Sequence, residues 1–397
     1  MTRGIYRRKT QILGAVAVVC SVVAFGLYGT GRSSQLECNP VPKSETVACE
    51  FLGTVNYPTG LKFQGLEVGG LSGISFFPAQ NMYYAVSDDR GQKSPARVFT
   101  LTIDFADGRL DQGDIVLKGV IVLKDEKGKP FKRGSIDPEG IAVAETGEFY
   151  ISSEGDVDGD IDPFIGCFDA NGQLQYRLPI PEKFMPGKHK GVRDNRAFES
   201  LALSRDGRYL YTATENALKQ DGPKTGFKRE SHSRILKYDV KQRQPVGEFV
   251  YRVEHVSEPK TRLHGPGTNG LADLLVFDKD GDFLSIERSY TLGDGFVVKL
   301  FRISAKDAVD VSAQYGLFDK DEELVFDVKK AVQKTEMADV SMWVKDVDNI
   351  EGITMGPALP DGRSILIMVS DNNFSRFQKT QFIAIAITDC LITGRVL

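Results

Sequence analysis

Asp137-Pro138-Glu139-Gly140-Ile141, followed a hairpin later by Ser152-Ser153-Glu154, is a phrase that this 397-residue chain repeats in five versions. Leu71-Ser72-Gly73-Ile74 leads to Ser87-Asp88-Asp89-Arg90, and Glu199-Ser200-Leu201 to Thr214-Glu215-Asn216. Asp273-Leu274-Leu275 leads to Glu287-Arg288-Ser289, and Glu351-Gly352-Ile353 to Ser370-Asp371-Asn372-Asn373. Each version joins a small or acidic residue pair, an apolar strand, a turn, a second apolar strand and a polar or acidic end. A repeated all-strand unit signals a propeller or a solenoid. Gly73, Gly140, Ser200, Leu274 and Gly352 stand 60 to 78 residues apart, too far and too unevenly for a solenoid coil. The spacing suits four-stranded blades with long loops.

Outward from these phrases, Asp107-Gly108, Asn171-Gly172, Asp206-Gly207, Asp280-Gly281 and Asp361-Gly362 are dipeptides that tight strand reversals prefer. The strands between them alternate or run fully apolar, as in Tyr209-Leu210-Tyr211 and Ile365-Leu366-Ile367-Met368-Val369. Ala305–Val311 and Asp327–Val332 are the best helical candidates, both short. The reading is an all-β chain forming one ring, residues 38–397. Its length predicts six blades, five of them visible as repeats and a sixth built from Ile303–Asp348 or from the joined termini. Closing the ring removes exposed sheet edges.

Residues Thr10 to Gly31 carry no charge and follow Arg3, Arg7, Arg8 and Lys9. This is the pattern of an export signal or an uncleaved membrane anchor, assigned to residues 1–33. The body is therefore expected outside the cytoplasm, in the periplasm or the medium, with membrane contact only through an uncleaved leader. Cys20 lies inside the apolar run. Cys38, Cys49, Cys167 and Cys390 remain, an even number that permits three pairings in an oxidising compartment. The formal net charge of −4 includes the basic leader, so the body is more acidic still, which argues against a nucleic-acid partner.

Repetition gives the acidic residues physical meaning, because equivalent positions in successive blades fall at equal radii around one axis. Asp137, Glu139, Glu199, Asp273 and Glu351 are expected to converge on one mouth. Asp88, Asp89, Glu154, Glu215, Glu287 and Asp371 end the second strands and are expected to face the same opening. Carboxylates held close together need shared protons or a cation, and calcium accepts six to eight oxygens in loose geometry. Glu139, Glu199 and Glu351, with Asp273, are the catalytic candidates. The alternative role for all of them is to cap strands and hold the blades in register.

Asp156-Val157-Asp158-Gly159-Asp160-Ile161-Asp162 is a separate oxygen-rich loop. It departs from the EF-hand spacing but suits a structural cation. Arg90, Arg288 and Arg376 closely follow strand-end acids and can grip phosphate oxygens in pairs, or else form ion pairs with neighbouring carboxylates. His264, in a Gly-Pro-Gly turn, is the one histidine placed as an acid or base candidate. The elbow G-x-S-x-G is absent, which argues against an acyl-serine esterase.

Gly69-Gly70-Leu71-Ser72-Gly73-Ile74, Asp137 to Ile141, Phe198-Glu199-Ser200-Leu201, Glu287-Arg288-Ser289, and Asn349-Ile350-Glu351-Gly352-Ile353 with Ser370 to Phe374 resemble the phytase-like family described as having esterase-like activity. The resemblance covers about residues 65 to 390. It implies an exported β-propeller, related in architecture to alkaline phytases, that hydrolyses phosphoesters with calcium held by acidic residues near the central channel. The chain departs from the family pattern at Ser153-Glu154, where an Asp-Glu pair is expected. The expectation is therefore a calcium-assisted hydrolase of small phosphoesters. A non-catalytic binding propeller and a metal-dependent propeller lactonase or carboxylic esterase are the alternatives.

Overall fold

The computed structural model describes residues 49–259, 261, 264–276, 282–319, 321 and 323–388. The leader, Cys20, Cys38, Cys390 and the Asp280-Gly281 turn lie outside the described residues. Cys49 and Cys167 are not bonded to one another.

Five four-stranded antiparallel sheets form the fold. The first blade runs through Leu71–Phe77, Met82–Ser87, Arg97–Ile103 and Ile115–Val122. The second uses Pro138–Val143, Phe149–Ser153, Phe164–Phe168 and Leu174–Leu178. The third uses Phe198–Leu203, Tyr209–Thr214, Ser231–Asp239 and Gln244–Val253, and the fourth Gly267–Val276, Asp282–Thr291, Gly295–Ser304 and Gln333–Asp339. In the fifth, Ile350–Ala358, Ser364–Ser370 and Lys379–Ile387 are completed by Cys49–Pro58 from the other end of the chain. The innermost strands touch in sequence, and the fifth returns to the first, so the ring closes.

The blade count is thus five, not six. The residues expected to build a sixth blade are already used: Gln333–Asp339 is the outer strand of the fourth blade, and the joined termini complete the fifth. Long insertions, not an extra blade, account for the length. Among the described residues there is no α-helix. Ala305–Val311 is irregular, and within Asp327–Val332 only Val328–Lys330 makes a 3-10 turn. These segments serve packing instead, with Val311, Leu317, Phe326 and Ala331 forming a satellite core against Val250.

The apolar runs are explained by where the core sits. Each blade is buried on both faces, so both alternating side-chain sets must be apolar. Five clusters fill the gaps between successive blades. Ile141, Phe149 and Ile151 of the second blade meet Tyr84, Val86 and Val98 of the first, and Ile353, Leu366 and Met368 of the fifth meet Leu284, Ile286 and Leu300 of the fourth. Gly108, Gly172, Gly207 and Gly362 adopt positive φ, as their reversals require.

Candidate functional site: a carboxylate-lined channel mouth

In every blade the pairing between the inner strand and its neighbour slips at the same place. The slips lie between Leu71 and Gly73, Pro138 and Ile141, Phe198 and Ser200, Leu271 and Asp273, and Ile350 and Gly352. A bulge of this kind leaves one residue unpaired and re-aims its side chain. The re-aimed residues are Ser72, Glu139, Glu199, Ala272 and Glu351. A second set follows from the same pairing, since Leu71, Pro138, Phe198, Leu271 and Ile350 lie opposite Ser87, Ser153, Thr214, Glu287 and Ser370. One residue further on are Asp88, Glu154, Glu215, Arg288 and Asp371. The fourth blade therefore puts alanine and arginine where most other blades put acids.

These residues meet at one end of the channel. A cavity of about 480 Å³ is lined by Asp88, Glu139, Glu154, Glu199, Glu215, Glu351 and Asp371, together with Arg196 and Arg288. Arg288 Nη2 lies 3.3 Å from Glu351 Oε1 and 3.4 Å from Glu215 Oε1, and Arg196 Nη1 is 2.6 Å from Glu215 Oε2. Glu154 accepts the Ala197 N–H, and Asn349 Nδ2 donates to Glu351 Oε1 at 2.9 Å. Glu215 reaches its place because position 270 is glycine: a Cβ there would stand 2.2 Å from Glu215 Oε1. The opposite end of the channel is mainly apolar, lined by Ile141, Leu203, Leu275 and Met355 among others.

Burial and mutual repulsion govern the ionisation of the mouth. Burial first, and then the charges of Asp88 and Glu199, hold Glu139 well above the usual carboxylate range; burial and Glu154 do the same to Glu199. Glu154 is pushed up to about 8 by burial and by Asp137. Burial also lifts Glu351 to about 8 against the pull of Arg288, and Asp371 to about 6. Glu154 lies against Glu199, and Asp88 against Asp137, so the acids of the mouth stand in facing pairs. Protons stand in here for missing positive charge.

Asp88, Asp137 and Glu139 each present an oxygen within 4.8 Å of the others. Burial and the charges of Asp137 and Asp371 raise Asp88, so the group is short of cations even though Arg90 Nη2 lies 2.5 Å from Asp137 Oδ2. An all-oxygen, carboxylate-rich donor set of this kind fits a hard divalent cation such as calcium.

Several candidates stand elsewhere. Asp273 occupies the position held by Gly73, Gly140, Ser200 and Gly352, one residue past the bulge. It points between blades, where Oδ1 accepts the Leu274 N–H and Oδ2 the Ile353 N–H, both at 2.8 Å. Glu287 falls one residue early, pairing with Leu271 while Arg288 takes the mouth position. It is buried against Tyr251 Oη at 2.8 Å, Lys334 Nζ at 2.6 Å and Asn269 Nδ2 at 2.8 Å. Asp89 turns away from the mouth to bind Arg97 Nη1 at 2.8 Å and the amides of Gln92, Lys93 and Ser94. Burial pushes Asp89 up, but Arg97 and these amides outweigh it and hold its carboxyl below the usual range.

In the oxygen-rich loop, Asp156 closes a turn by accepting the Gly159 N–H at 2.8 Å, while Asp158 and Asp160 are exposed. Arg90 serves Asp137 and is absent from the cavity lining, and exposed Arg376 lies 4.8 Å from the Phe377 ring. His264 packs its ring 4.7 Å from Phe227, also away from the cavity.

Sequence reasoning missed Arg196, Asn349 and the aromatic side of the mouth, made by Tyr290, Phe296 and Phe377. Asn349 stands two residues before Glu351, as Asp137 stands two before Glu139, which was a usable signal. Arg196 and Phe377 lie in irregular loops and give none.

Fold and site together define a five-bladed propeller with an acid-lined channel mouth. The chain belongs to the phytase-like family, "Esterase-like activity of phytase", which it matches over residues 66–374. It is similar to an "Uncharacterized secreted protein" of Arthroderma benhamiae, with 25% identity over 191 residues, 41% of this chain and 36% of that protein. The chain thus matches little more than a third of that relative's length. Among solved structures, it resembles a Dos1 propeller at 8% identity and a TM-score of 0.33, covering 79% of this chain and 67% of that one. It also resembles a putative oxidoreductase (glucose dehydrogenase) of Thermus thermophilus at 14% identity and a TM-score of 0.37, covering 85% and 99%.

Proposed function

We propose that this chain is an exported hydrolase of small phosphate esters that works with a divalent cation, calcium being the best match to its donors. The observation that carries the reading is the gathering of seven carboxylates and two guanidiniums around one cavity. Asp88, Asp137 and Glu139 would hold the cation, which supplies charge neutralisation and polarises a phosphoryl oxygen when bound. Arg288, fixed between Glu215 and Glu351, is placed to grip phosphoryl oxygens. Hydrolysis adds water across the P–O bond. Glu351, which holds a proton near neutral pH, gives it to the departing alkoxide, and Glu199, once ionised above its raised pKa, accepts the proton that leaves the water.

Export rests on the charge-free stretch behind the basic leader and on the secreted relative. Among the described residues no helix is long and apolar enough to cross a membrane. The aromatic side of the cavity supports a second reading, a carboxylic ester or lactone as substrate, on the same carboxylates. Phosphate release by the purified protein from a panel of phosphomonoesters, with calcium and after chelation, tests the first. Calcium-dependent release that Glu351→Gln abolishes in a folded protein is the expected result. Absence of release from every ester, with calcium bound, overturns it.

A further inference from the structure

Acids line the cavity from four of the five blades, as Asp88, Glu139, Glu154, Glu199, Glu215, Glu351 and Asp371, whereas the fourth blade contributes Arg288, Tyr290 and Phe296, and the loop after Asp371 adds Phe377. Tyr290 and Phe296 pack as a pair with ring centroids 4.8 Å apart. Phe377 is 84% exposed, which is unusual for a phenylalanine. Its loop is nevertheless tightly tied. Asp371 Oδ1 accepts the Asn373 N–H at 2.6 Å, and Asn372 Oδ1 accepts the amides of Phe374 and Gly70, both at 3.0 Å. Asn373 and Phe374 both take left-handed φ, 47° and 50°, a strained pairing that the surrounding bonds enforce. An aromatic ring held in water on a braced loop, beside a polar cavity, is built to be covered.

Two polar groups beside these rings lack partners. Asn349, 3% exposed, has no hydrogen-bond partner for Oδ1, and Arg288 has none for Nε. A phosphoryl oxygen would accept from Arg288 Nε, with the organic part of the ester lying on the rings, whereas Asn349 Oδ1 calls for a donor, such as a protonated phosphoryl oxygen or a hydroxyl of the ester. The same cavity disfavours dense polyanions. Its carboxylates outnumber its guanidiniums seven to two, and both guanidiniums are already paired. Once these carboxylates ionise, as pH rises or a cation replaces their protons, a substrate with many phosphates would meet like charge on most sides.

We propose that Tyr290, Phe296 and Phe377 form a leaving-group subsite that selects monoesters of compact aromatic or apolar alcohols over inositol polyphosphates. The inference rests on the phosphoester reading of the mouth.

The test compares kcat/KM for phenyl phosphate, glycerol phosphate and phytate in the calcium-loaded protein and in Phe377→Ala, a substitution at an exposed site that the fold tolerates. Phenyl phosphate is expected to exceed glycerol phosphate by about tenfold, phytate to fall below both, and Phe377→Ala to reduce the aryl-to-glycerol ratio towards one. A ratio unchanged by Phe377→Ala, or phytate as the preferred ester, overturns the subsite while the phosphoesterase reading stands. If no ester is cleaved, that reading fails, and calorimetry with phenylphosphonate and methylphosphonate decides the subsite separately. Tighter phenyl binding that Phe377→Ala removes upholds it, and equal binding overturns it.

Discussion

Glu139, Glu199 and Glu351 sit at the bulge of their strands, where backbone pairing cannot use the residue and the side chain is free to serve the channel. Their ionisation makes stability depend on pH in a definite direction. A carboxyl whose folded pKa lies above its unfolded value binds more protons when folded, so its contribution is present at low pH and is lost as pH rises towards the folded value. For Glu154 and Glu351 the window runs from 4.5 to about 8. Without divalent cations, denaturant unfolding should show stability falling from pH 5 to pH 8, by about 1.4 kcal/mol per pH unit for each group at most. Calcium should flatten the fall by replacing protons. Stability that rises over this window in chelator would contradict the account. Glu139→Gln should mimic the protonated acid, so the metal-free protein should melt no lower than wild type while losing calcium-induced stabilisation, which differential scanning calorimetry in chelator and in calcium would show. The acidic type of these residues and their recurrence were legible in the sequence. Which of two adjacent acids faces the channel was not, because a bulge shifts the facing by one residue without changing composition.

The fourth blade shows this at the scale of the strand. Its repeat reads as Asp273-Leu274-Leu275 when matched by acidity, but the bulge aligns Leu271-Ala272-Asp273-Leu274 with Pro138-Glu139-Gly140-Ile141. Asp273 then falls where the other blades need glycine or serine: a Cβ on Gly73 would stand 2.5 Å from the Glu139 carbonyl oxygen. The fourth blade instead has room for a carboxylate that caps two strand amides. Asp273→Ala should orphan the Leu274 and Ile353 N–H groups and destabilise the fold by about 1–3 kcal/mol for each, with calcium affinity unchanged, as denaturation and metal titration would show. Loss of calcium binding in a folded Asp273→Ala protein would return Asp273 to the mouth. Asp89 supports its loop in a similar way. Both side chains of its pair with Arg97 are buried, so Asp89→Ala should cost about 3–5 kcal/mol, again read by denaturation. The strands, the turns and the propeller were legible because both faces of each blade must be apolar and each Asp-Gly reversal needs positive φ.

At the scale of the molecule, blade number depended on long insertions that no local pattern measures. Residues between Ser304 and Gln333 interrupt the fourth blade between its third and fourth strands, which is why length alone suggested one blade more. Ring closure rests on Cys49–Pro58 pairing with Lys379–Ile387. A chain beginning after Pro58 should leave that edge open, and its melting should be broad and its association concentration-dependent; unchanged melting and a monomeric sedimentation profile would argue against closure by this strand. Closure is also what brings Asp88 of the first blade to Asp371 of the fifth and to Glu139 of the second. The central claim is that this convergence creates a cation site, and calcium titration by isothermal calorimetry tests it most directly. The full chain should bind calcium with release of protons, and Asp88→Asn and Glu139→Gln should each weaken binding at least tenfold while remaining folded. Undiminished calcium binding in either folded variant, or no binding by the wild-type protein, would contradict it.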